Sequence, residues 1–185
     1  MYVVRNFFLQ KDNPDFATAR LLIDKMIESQ PNNNALKTLQ QTVRNHTPIA
    51  HNSSVPKFAA YDINGKQVNN AMLAKADTAV VVAWATWNYS SMSMLQTVAQ
   101  IQKEKGSKMK VLGVCLDYSR SLCRTALRQR DMNDIPTVCD GKAVDGDVYN
   151  RLGMSNLPDN IVIEKGKVTA TGLTLEQLRK KLGKE

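Results

Sequence analysis

The chain has 185 residues, 43% hydrophobic and 6% aromatic, with 25 basic against 17 acidic residues and a formal charge of +8. That composition suits one globular domain with an appendage, able to bury a sizeable core. Its longest apolar run, Ala79–Ala85, is far too short to span a bilayer. Its basic excess, partly in Arg179-Lys180-Lys181 and Lys184, is not interleaved with aromatics as a nucleic-acid surface would be, so no nucleic-acid partner is expected.

Met1–Gln10 is broken by Arg5 and Asn6 and does not read as a signal segment. The spacing predicts a helix over Asp15–Ser29, where Phe16, Ala19, Leu22, Ile23, Met26 and Ile27 share one face. Pro14 suits a first-turn position, and Pro31 with three asparagines ends the segment. Ala35–Arg44 repeats the pattern through Leu36, Leu39 and Val43. The two helices form a hairpin over residues 1–45 whose apolar stripe must pack on something. Residues 46–54 are polar, hold Pro48 and both histidines (His46 among them), and read as a linker to a domain over 55–185.

From there strands and helices alternate. Lys57–Tyr61 and Gln67-Val68 are strand-like around an Asn64-Gly65 turn, and Ala71–Ala74 is a short helical piece. Thr78–Trp84 is a valine-rich run of the kind covered on both faces. Ser90–Lys105 is a helix closed by Gly106, Lys110–Leu116 a second buried strand, and Ser119–Arg130 a helix. Asn160–Glu164 and Lys167–Thr171 are strands joined at Lys165-Gly166. Leu173–Leu182 is a last helix, with Thr174 and Gln177 placed as a capping box. This order implies an α/β fold: a mixed sheet with helices on both faces.

Several short motifs fall in a telling sequence. They are Val55-Pro56-Lys57-Phe58, Tyr61-Asp62-Ile63-Asn64-Gly65-Lys66, Trp84-Ala85-Thr86-Trp87, Val111–Asp117, Thr137–Gly141, and Leu157-Pro158 before Ile161-Val162-Ile163. In this order they resemble the thioredoxin-like domains of the TlpA/ResA type of thiol–disulfide oxidoreductase, relatives of the AhpC/TSA peroxiredoxins. The resemblance implies a thioredoxin-like sheet, a cis bond at Leu157-Pro158, and an extracytoplasmic location behind a signal or lipid anchor preceding this segment. If the chain is complete, a cytoplasmic location is expected instead.

The departure from the family is informative. Its Cys-x-x-Cys would fall on Asn88-Tyr89-Ser90-Ser91. Dithiol exchange needs a thiolate, favoured at a helix N-terminus, and a second thiol to resolve the mixed disulfide. Asparagine is no nucleophile, and the helix dipole, worth about 1–2 kcal/mol, does not ionise a hydroxyl near neutral pH. The buried acid that thioredoxins place two residues before the tryptophan is Val82 here. No catalytic site is therefore expected at these vestigial positions. Ser90 and Ser91 read as helix N-caps rather than nucleophiles. Trp87, Tyr89, Leu157 and Pro158 are the candidate binding residues for a peptide or protein, because the backbone beside this proline pairs with extended substrates in relatives of this type.

Cys115, Cys123 and Cys139 show no metal-ligand spacing, and His46 and His51 are the only histidines, so neither metal nor cofactor is expected. Each cysteine reads as a small buried hydrophobe, with a Cys115–Cys139 bridge conceivable. The expected function is a redox-inactive binding or scaffold module. The alternative is a monothiol peroxidase or reductase using Cys115 or Cys139.

Overall fold

In the computed structural model, which describes residues 2–4, 8, 16–45 and 49–183, the chain divides into two units, Met1–Pro48 and Ile49–Glu185. The first holds a helical turn, α1 (Tyr2–Val4), and two helices, α2 (Phe16–Ser29) and α3 (Asn34–Asn45). Their apolar periodicity explains the pairing. Ala19 and Ile23 of α2 and Leu39 and Val43 of α3 are buried in one cluster with Val4, and Leu22, Met26 and Ile27 pack at its margin. Asn33 starts α3: its side-chain oxygen accepts the amides of Ala35 and Leu36 at 3.1 and 3.2 Å. Pro14, Pro48 and His46 lie outside the described residues.

The second unit opens with a hairpin, β1 (Ala59–Tyr61) and β2 (Gln67–Asn69). Asp62 shapes its turn, its carboxylate accepting the amides of Asn64 and Lys66 at 2.9 and 2.8 Å. Gly65 takes the positive φ that this turn requires. Then come α4 (Asn70–Ala74), β3 (Thr78–Trp84), α5 (Tyr89–Lys105), β4 (Met109–Cys115) and α6 (Arg120–Arg128). The chain finishes with β5 (Thr137–Val138), α7 (Asp147–Arg151), β6 (Asp159–Glu164), β7 (Lys167–Thr171) and α8 (Leu175–Lys181).

Five strands form one sheet in the order β5-β4-β3-β6-β7. The β3, β4 and β5 strands run parallel, and β6 and β7 pair antiparallel. The central strand β3 is buried from Ala79 to Trp84, because one sheet face lies under Leu95, Leu127 and Leu178 and the other under Phe58, Leu73 and Val148. Cover on both faces is why β3 reads as a continuous apolar run rather than an alternating one. The sheet and its two helical layers are the architecture expected from sequence.

Periodicity misses three short elements, α1, β5 and α7, which have too few positions to display a period. Part of the segment expected to be linker lies along the sheet. The Asn52 amide donates to the Val168 carbonyl at 2.8 Å, the Val168 amide to the Ser53 carbonyl at 2.9 Å, and Ser54 bridges Lys167. Asn and Ser give that stretch a coil-like sequence, but an edge position uses only backbone groups.

Candidate functional site

The turn that joins β3 to α5 is held through Thr86, Asn88 and Ser91. The Thr86 amide and hydroxyl both donate to the Asp117 carboxylate, at 3.1 and 3.0 Å, tying the turn to the end of β4. Asp117 itself is buried. Asn88 is the N-cap of α5, its side-chain oxygen accepting the Ser91 amide at 2.8 Å. The Asn88 side-chain amide donates to the Leu157 carbonyl at 3.4 Å. The Ser91 hydroxyl, fully buried, accepts the Ala85 amide at 3.1 Å and donates to the Asn88 carbonyl at 2.8 Å.

These bonds correct the expected cap. The helix starts at Tyr89 rather than Ser90, and Asn88 caps it rather than Ser90 or Ser91. Asn88 has the extended backbone that a cap needs, and its oxygen reaches the third amide of the helix. Ser90 is left exposed, and the partners of the Ser91 hydroxyl are backbone groups, with no base among them. Asn88 thus serves as a capping amide and Ser91 as a buried structural hydroxyl.

Of the candidate binding residues, Trp87 and Tyr89 flank Asn88 and are 68% and 86% exposed. Leu157 and Pro158 lie across from them, joined to Asn88 by the Leu157 bond, and the Leu157-Pro158 peptide is cis. Sequence reasoning missed Tyr118, which is 81% exposed and follows Asp117. Its signal was available: β3 and β4 are parallel and in register from Thr78↔Met109 to Trp84↔Cys115, so the residues just after them emerge at the same end of the sheet. Val82 is buried opposite Gly113 and Asn160. Trp84 lies over β4 only because Gly113 has no side chain; a Cβ there would sit 2.9 Å from the indole nitrogen and 2.7 Å from the Thr137 hydroxyl. A depression of about 470 Å³ bounded by Lys57, Phe58, Ala59, Asn70, Asp147 and Arg151 includes no residue of the α5 turn or of the Leu157-Pro158 edge.

The cysteines are arranged in a way their spacing did not suggest. Gly113 pairs with Thr137 and Val114 with Val138, so Cys115 and Cys139 stand at the next step of the same parallel register. Cys123 lies buried on α6 with Ala126 and Leu127 and closes over them. The three sulfurs lie within 4.8 Å of one another, all free thiols and all buried. The Cys115 thiol donates to the Asp117 carboxylate at 3.2 Å, and the Cys139 thiol to the Asp117 carbonyl at 3.3 Å. Their acidities separate. Hydrogen bonds from Cys115 and Cys123, with help from the Gly141 amide and Arg120, pull Cys139 well below the usual thiol range. Cys115 is pushed up by its bonds to Cys123 and Cys139 and by burial. Cys123 gains thiolate character from Cys115, but its bond to Cys139 and its burial push it up on balance.

No family model matches the chain, and no curated protein does either. Solved structures do. A thiol-disulfide oxidoreductase from Bacteroides fragilis is 23% identical, with a TM-score of 0.61 over 70% of this chain and 97% of its own. The thioredoxin domain of a thiol-disulfide oxidoreductase from Bacteroides vulgatus is 19% identical, with a TM-score of 0.61 over 72% and 96%. A thiol:disulfide interchange protein of the thioredoxin family from Chlorobium tepidum is 17% identical, with a TM-score of 0.58 over 72% and 96%. The strand order, the helix set at the end of the central strand and these likenesses together give the chain a thioredoxin-like fold.

Proposed function

We propose that the chain is a thioredoxin-fold binding module related to the extracytoplasmic TlpA/ResA oxidoreductases, without dithiol exchange at the start of α5. It holds an extended peptide or protein segment there with Trp87, Tyr89 and the Leu157-Pro158 edge. The observation that carries this reading is the paired exposure of two large aromatics, 68% and 86%, around a turn fixed by the bonds of Thr86, Asn88 and Ser91. Exposed aromatics fixed on a rigid frame are the usual anchors of a binding surface. An amide and a buried hydroxyl where sulfur would react support binding over chemistry.

The test is a titration of the isotope-labelled chain with a pool of extended peptides, followed by amide shifts in a nuclear magnetic resonance spectrum. Shifts are expected at Trp87, Tyr89 and Leu157. Trp87→Ala should weaken binding about tenfold, equivalent to about 1.4 kcal/mol, and leave folding unchanged. Shifts confined to other surfaces, or catalytic reduction of insulin by the native chain, would overturn the reading. The second reading, a monothiol peroxidase or reductase, rests on Cys115 and Cys139 standing side by side as free thiols at the ends of β4 and β5. Trapping of a sulfenic acid on Cys139 or Cys115 after one equivalent of hydrogen peroxide would establish that alternative.

A further inference from the structure

We propose that Cys115, Cys123 and Cys139 form a three-sulfur site for a soft, thiophilic metal ion, with Cu(I) as its best-matched occupant. The site draws on residues outside the α5 turn and stands whether or not a peptide binds there.

Convergence is the first reason. The sulfurs come from the end of β4, from α6 and from the residue after β5, and meet within 4.8 Å of one another. A disulfide would account for two of them and leave the third without a role, whereas a trigonal ion uses all three. A metal–sulfur distance of about 2.3 Å in a plane of three ligands puts the sulfurs about 4 Å apart, so the cluster needs only a small contraction.

Donor chemistry narrows the occupant. Thiolates alone select soft ions such as Cu(I). His51 is exposed in a separate segment and does not join the group. The Asp117 carboxylate accepts the Cys115 thiol at 3.2 Å as well as the Thr86 amide and hydroxyl, but it is not among the ligand atoms that meet within 4.8 Å. Among the described residues no fourth side chain joins the three sulfurs, as a closed tetrahedral zinc site would require.

The surroundings complete the argument. The Arg120 guanidinium is fixed beside the cluster, its Nε donating to the Cys139 carbonyl at 2.7 Å, and so offsets the negative charge of an ion held by thiolates. Burial of all three cysteines keeps water and oxidants away, which preserves the cuprous state. Each sulfur that becomes a ligand gives its proton to solvent, and no electron moves when the ion enters as Cu(I).

The test uses the reduced full chain, without oxygen, titrated with Cu(I) against the chromophoric competitor bathocuproine disulfonate. One copper retained per chain is expected, with X-ray absorption showing a single shell of three sulfurs at about 2.3 Å. Cys123→Ser should weaken retention by more than the roughly 100-fold that loss of an outer partner costs, with an unchanged circular dichroism spectrum. If that variant misfolds, the X-ray absorption spectrum of the unaltered chain decides. Two sulfurs in the shell, nitrogen or oxygen donors, no retained copper, or Zn(II) displacing Cu(I) would overturn the proposal. So would mild oxidation that consumes two thiols per chain when no copper is taken up.

Discussion

Two places at the carboxyl end of the parallel strands have gone opposite ways. At the turn into α5 the surface is open, with Trp87 and Tyr89 exposed, and it carries no sulfur. At the ends of β4 and β5 there are three sulfurs, and the surface is closed over them by α6. Openness and thiols, which a disulfide-exchanging site needs together, have been separated. The comparison teaches that an open turn held by an amide and a buried hydroxyl and a sealed cluster of thiols can occupy neighbouring strand ends of one sheet.

The sharpest way to break the comparison is to put sulfur back where the surface is open. The double variant Asn88→Cys, Ser91→Cys should gain insulin-reducing turnover at least ~10-fold above the parent, because the helix N-terminus still favours a thiolate. No gain would mean that the surroundings of the turn, Val82 among them, prevent exchange independently of the missing sulfurs. The converse test addresses the closed end. A thiol reagent should find no rapidly reacting cysteine in the native chain and all three after unfolding, since Cys115 is 2% exposed and Cys123 and Cys139 0%. One fast thiol would show that α6 does not seal the cluster.

Stability measurements sharpen the account of the turn. Ser91→Ala removes a buried hydroxyl that serves two backbone groups, and should cost about 1–3 kcal/mol in urea unfolding. Asn88→Ala removes a cap and should cost about 1 kcal/mol. Negligible losses in both variants would show that the turn does not depend on these two side chains. The smallest effect is electrostatic. Lys181, hydrogen-bonded to Glu164 at 3.0 Å, holds that carboxyl below its usual range. A lowered folded value means stability that is present above the ordinary glutamate range, near pH ~4.3, and lost as pH falls through the lowered value. The pair is substantially exposed, so Glu164→Gln should cost no more than about 0.5 kcal/mol at neutral pH and nothing in acid.

Much of the frame was legible because its elements are long or carry paired signals. The β3 strand is a continuous apolar run. The capping box of α8 reads directly from Thr174 and Gln177, whose reciprocal bonds form at 3.2 and 2.9 Å. The start of α5 was less legible, since Asn88, Ser90 and Ser91 are all good caps. Which one serves depends on Ser91 being drawn under Ala85, a tertiary fact. The cysteine cluster was illegible for a related reason. Its register depends on β5, a strand of two residues with no period of its own, so only the fold shows that Cys139 lies beside Cys115 and beneath Cys123.

The short pairing of Asn52–Ser54 along β7 has a consequence for how another chain can approach. It occupies both backbone groups of Val168, while on the far border the Ile63 amide takes the Thr137 carbonyl at 2.8 Å. Neither flank of the sheet then offers an uninterrupted ladder on which a foreign strand could grow, so lateral stacking into fibrils is discouraged. The exposed aromatics Trp87, Tyr89 and Tyr118 stand away from both borders, beyond the carboxyl ends of β3 and β4.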